Sequence, residues 1–75
     1  MEQTEVEKRL QVVYEKCLQC LRETGILQDV HSKYGIHTAI LRALEAGAHS
    51  WETRRAVRRA NDTFQGEKIN APKGS

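Results

Sequence analysis

The chain has 75 residues, 29% of them charged, a net charge of +2 at pH 7, and two cysteines. A chain this short makes one domain that buries only about 60% of its unfolded surface, which leaves little room for an enclosed active site, so we expect no enzyme and no cofactor. No apolar run approaches the ~18 residues of a membrane span. The N-terminal residues are acidic (Glu2, Glu5, Glu7), where a secretory signal would be cationic; the expectation is a cytoplasmic protein with no membrane partner.

Helix formers dominate, and no stretch alternates apolar and polar residues over strand length, so the fold class is all-α. The first helix has a clear start. Thr4 can cap it while Glu7 reaches back, a capping box, and Glu5 and Glu7 suit the positive end of the helix dipole. At 100° per residue Val6, Leu10, Val13, Tyr14, Cys17, Cys20 and Leu21 fall on one broad face, and Val12 points outward. Gly25 followed by Ile26 reads as a glycine end cap with an apolar residue folding back, so this helix runs from about Glu5 to Thr24. Val6, Leu10, Val13, Cys17, Cys20 and Thr24 also follow a 4-3 spacing. That seam either packs on the rest of the chain or joins a homodimer. In the second case Leu10, Val12, Val13, Tyr14 and Cys17 would lie at the dimer or partner interface.

A second helix is expected from about Ile26 to Tyr34, ended by Gly35, and a third from about His37 to Ala46, ended by Gly47. Ile36 reads as a buried hinge residue. Ser50 is the expected cap of a fourth helix reaching Phe64, with Thr53, Ala56, Val57, Ala60 and Phe64 on its apolar face. Asn61, Asp62 and Gly66 weaken its end. Residues 65–75 have no apolar periodicity and read as a disordered tail. The expected organisation is thus a four-helix domain over 1–64 and a tail over 65–75.

The pattern Val30-His31-x-x-x-Gly35-Ile36-x-x-x-x-Leu41-x-x-Leu44 resembles the helix-turn-helix family of DNA-binding domains. The likeness covers about 21 residues. It implies that Leu41 and Leu44 are internal anchors, that His37, Thr38, Ala39, Arg42 and Ala43 face the major groove, and that Thr38 and Arg42 read bases.

Charge is unevenly spread. Residues 1–36 hold five Lys/Arg against six Asp/Glu, and residues 37–75 hold seven against four, including Arg54, Arg55, Arg58 and Arg59. A basic patch in the C-terminal half suits an anionic partner, because the guanidinium fork pairs two phosphate oxygens at once. The string Thr53-Arg54-Arg55-Ala56-Val57-Arg58-Arg59-Ala60 also resembles the arginine-rich RNA-hairpin-binding peptides of lambdoid phage antitermination proteins. That likeness implies arginines on phosphates and an aromatic residue on a base. Trp51 is placed to stack on a base or to cover the Arg55 stem. Cys17, Cys20, His31 and His37 have a spacing near that of a zinc finger, but both cysteines fall mid-helix on the apolar face. They read as small buried hydrophobes, with no metal.

These readings converge on a small DNA-binding transcriptional regulator of the phage or mobile-element kind. Thr38 and Arg42 would read bases, Arg54, Arg55, Arg58 and Arg59 would hold phosphates, and Trp51 would lie beside them at the nucleic acid. Two alternatives stand beside it. One is a small helical inhibitor or adaptor that binds a host protein through the Val12, Tyr14 and Leu18 edge or the Arg/Trp face. The other is arginine-rich RNA binding.

Overall fold

A computed structural model describes residues 3–27 and 35–70 of the chain. Within them the protein is all-helical, with α1 over Glu5–Thr24, α2 over Ile36–Glu45 and α3 over Ser50–Asn70. Helix α1 is the spine, with α2 packed along one flank and α3 along another. Helix α2 runs antiparallel to α1: its start, Gly35, lies by Lys16, and Gly47 just beyond its end lies by Val6. Helix α3 runs parallel to α1, since Tyr14 meets Thr63 and Arg22 meets Glu67 farther along both helices.

The ends of α1 lie where the local chemistry puts them. Thr4 Oγ1 accepts from the Glu7 N–H at 3.1 Å, and Glu7 Oε1 accepts from the Thr4 N–H at 2.9 Å. Gly25 closes the helix at φ 83°, a left-handed conformation that costs a glycine little. Ile26 does not fold back; it is exposed. The end of α2 is a Schellman turn. The Gly47 N–H donates to Leu44 O at 3.0 Å and the Ala48 N–H to Ala43 O at 2.9 Å. Ala43 and Ala48 are both buried, which supplies the apolar contact that goes with this turn.

Several expectations are corrected. Ile26 and Leu27 lie in no helix, and the rest of the expected second helix falls outside the described residues, as do Val30 and His31. Ser50 is the first residue of α3, not its cap; His49 holds the cap position, and its N–H donates to Glu52 Oε1 at 2.9 Å. Residues 65–70 are helical, not tail. Gly66 costs local stability, but α3 keeps a partner beyond it, because Glu67 pairs with Arg22 of α1. Residues 71–75 fall outside the described part.

The core gathers Val13, Cys17, Leu18 and Cys20 from α1, Ile36, Ala39 and Ala43 from α2, and Ala56 and Ala60 from α3. Val13 and Cys17 are 0% exposed, so the 4-3 seam at these positions is used inside the chain. They are core residues rather than interface residues. Leu18, expected at an exposed edge, is buried as well, and Leu10 and Tyr14 are half-buried against the core. Val12 is exposed, as its angle on the helix implies. The apolar face expected for the last helix holds: Thr53, Ala56 and Ala60 are buried, with Val57 and Phe64 packed at the edge. Buried Thr53 donates its hydroxyl to Ser50 O at 2.8 Å. No helix of the described residues is long and apolar enough to cross a membrane.

Candidate nucleic-acid interface

Helix α3 carries four arginines within the six residues 54–59. Its buried stripe of Thr53, Ala56 and Ala60 turns Arg54, Arg55, Arg58 and Arg59 outward, and all four are exposed. Arg54 and Arg58 stand one turn apart, as do Arg55 and Arg59, so the two members of each pair are about 6 Å apart along the axis. None of the four has an acidic partner among the described residues. Asp62 shares this side of the helix and pairs with none of them.

Trp51 lies among these arginines and is 56% exposed. Its ring stacks on His49, with centroids 6.3 Å apart and planes 8° from parallel. The Arg55 guanidinium sits 6.0 Å from the Trp51 ring centroid, at the outer limit of a cation–π contact. One turn on, Arg59 lies 4.8 Å over the Tyr14 ring. Tyr14 in turn donates its hydroxyl to Thr63 Oγ1 at 3.1 Å. Arg55 and Arg59 thus each lie near an aromatic ring, which leaves their charge intact. Between this face and α1 runs a groove of about 520 Å³, bordered by Trp51, Glu52, Arg55 and Arg59 on one side and Glu7, Leu10 and Gln11 on the other.

Helix α2 differs from its expected form. Leu41 and Leu44, expected as internal anchors, are 45% and 38% exposed, while Ala39 and Ala43, expected to face outward, are buried. The helix is rotated so that its small residues meet α1, because alanine lets two helices approach closely. His37, Thr38 and Arg42 remain exposed. Thr38 and Arg42, however, line a groove with Arg9, Val12 and Lys16 of α1. At 100° per residue those α1 positions lie opposite Glu7, Leu10 and Gln11. The two base-reading candidates and the arginines bordering Trp51 therefore sit on opposite flanks of α1, not on one continuous face.

Cys17 and Cys20 are both buried. Cys20 Sγ donates to Ile26 O at 3.4 Å, beside the Thr24 hydroxyl. His31 of the zinc-like spacing lies outside the described residues, and the described ones contain no group of three or more His, Cys, Asp or Glu placed to hold a metal.

Two residues that help organise the surface carry no sequence motif. Arg22 and Glu67 form a two-pronged ion pair between α1 and α3, with Arg22 Nε 3.0 Å from Glu67 Oε1. The hydrogen bond from Arg22 holds the Glu67 carboxyl below the ordinary carboxylate range, and the same bond raises Arg22. Their partnership could be suspected only once α1 and α3 were known to run parallel. No protein family, no curated protein and no solved structure matches the chain.

Proposed function

We propose that the protein is a small DNA-binding regulator that grips the phosphate backbone through α3. The observation carrying this reading is the exposed, unneutralised set of Arg54, Arg55, Arg58 and Arg59 around Trp51 on one side of a packed helix. Arg55 and Arg59, each beside an aromatic ring, need less ordering when they meet phosphates, and phosphate contacts dominate affinity for a duplex.

Binding should weaken steeply with salt, with a log–log slope of about −0.9 for each phosphate contact on B-DNA. Replacing all four arginines with alanine should leave the helical circular dichroism unchanged, since alanine favours helix and the buried stripe is untouched. The same variant should lose most duplex affinity and flatten the salt dependence. Anisotropy titrations of random and genomic duplexes read both effects. Undiminished binding by the quadruple variant, or no binding by the wild type at low salt, counts against the proposal. Tighter binding to an RNA hairpin than to any duplex would move the same face to the arginine-rich RNA reading.

The exposed Leu41 and Leu44 favour a second reading, a helical inhibitor or adaptor of another protein. A partner retained from lysate after nuclease treatment, and lost on Leu41→Ser with Leu44→Ser, would support it.

A further inference from the structure

The groove between α1 and α2 lies away from the arginine face and has a volume of about 370 Å³. Three of its lining side chains, Arg9, Lys16 and Arg42, are cationic, and none is acidic. Arg9 is already engaged, with Nε 2.7 Å from Glu5 Oε2. Lys16 and Arg42 have no acidic partner among the described residues. Glu5 and Glu45 border a neighbouring hollow with Arg9 and Arg42, toward Ala46. Those carboxylates lie on the Ala46 side of Arg42, and none lines the groove on its Lys16–Thr38 side.

The position of Lys16 adds to this. Its Cδ, Cε and Nζ each lie 3.9 Å from where a Cβ on Gly35 would sit, so the ammonium end rests against the residue that opens α2. Helix α2 has no side-chain cap and no acidic residue in its first turn. A lysine beside that end adds like charge to the positive pole of the helix. Lys16 and Arg42 line one groove that has no acidic residue in its lining, a setting that favours an anion. Thr38 supplies a hydroxyl in the same groove, and Val12 and Ala39 give it an apolar wall.

We propose that this groove binds an oxyanion of the phosphate class, with Lys16 and Arg42 as the charged donors and Thr38 as the hydroxyl donor. The site uses none of the α3 arginines and stands or falls independently of duplex binding there. Amide NMR titration with inorganic phosphate, at ionic strength held constant with chloride, tests it. The Thr38 and Ala39 amides of the wild type should shift saturably. The double variant Lys16→Met, Arg42→Ala should bind at least about tenfold more weakly, as expected for loss of charge-assisted hydrogen bonds. Thr38→Val keeps shape and both cations and should weaken binding by a smaller factor. The quadruple α3 variant should titrate like the wild type.

A single-stranded oligonucleotide identifies the source of the phosphate. Shifts of the same amides, reversed by inorganic phosphate, assign the groove to a phosphodiester backbone. Shifts with inorganic phosphate alone assign it to free phosphate or a phosphomonoester. No saturable shift with either probe, or equal shifts in the wild type and both groove variants, overturns the site.

Discussion

The two flanks of α1 are built differently. Against α2 the contact is made by Ile36, Ala39 and Ala43, all buried and apolar, on a helix of only 10 residues. Against α3 the buried apolar set is thinner, mainly Ala56 and Ala60, on a helix of 21 residues. That flank adds directional contacts along its length: the Tyr14–Thr63 hydrogen bond, Arg59 over Tyr14, and the Arg22–Glu67 pair. The difference shows how a polar helix is kept in place. The short helix meets α1 through a buried apolar face, whereas the long helix with an arginine face adds polar contacts spaced along its length. Those contacts leave its outer side available for a ligand.

The strongest way to break the comparison is to remove what both flanks share. Val13 is wholly buried in the common core. A 75-residue domain has roughly 4–11 kcal/mol of stability, and an unpaired buried carboxylate costs several kcal/mol. Val13→Asp should therefore unfold the chain, seen as loss of far-UV helical signal. A folded Val13→Asp variant would show that this position is not core.

A smaller change separates the flanks. Ala43 is 0% exposed and forms part of the Schellman turn, so Ala43→Leu should overpack the α2 side and cost about 1–3 kcal/mol. Hydrogen exchange should show protection falling in α2 while α3 keeps its own. Equal loss in both helices would mean that the two flanks do not respond separately.

The smallest effect is expected at Glu67. Its folded pKa is lowered, chiefly by the hydrogen bond from Arg22, so its contribution is present above the unfolded carboxylate pKa and is lost as pH falls through the folded one. Glu67→Gln should slightly lower the thermal midpoint near neutral pH, and the gap to wild type should close in acid. Both partners are solvent-exposed, so salt should also narrow the gap. A gap that persists unchanged in acid would assign the effect to something other than the ion pair.

Legibility in the sequence followed locality. The limits of α1 were readable because the Thr4–Glu7 box and Gly25 act within a few residues of where they sit. The outward arginines of α3 were readable because Thr53, Ala56, Val57, Ala60 and Phe64 mark a single stripe opposite them. Helix α2 was not, since Ile36, Ala39, Ile40, Leu41, Ala43 and Leu44 cover more than half of its circumference. Periodicity allows either the leucines or the alanines to face inward, and the larger side chains were the natural choice. The end of α3 was misplaced for a related reason: Asn61, Asp62 and Gly66 speak against helix locally, and nothing nearby in sequence speaks for it.

What the sequence by itself determined is the all-helical class, the caps of α1 and the cationic outer side of α3, since each follows from short-range hydrogen bonding or from helical period. Tertiary structure alone decided which face of α2 is buried, how far α3 extends, and that Thr38 and Arg42 lie across α1 from Trp51. Those outcomes depend on how closely two helices can approach and on partners 45 or more residues apart in the chain, as with Arg22–Glu67 and Tyr14–Thr63. Packing distance and long-range pairing are properties of the assembled core, and no local pattern carries them.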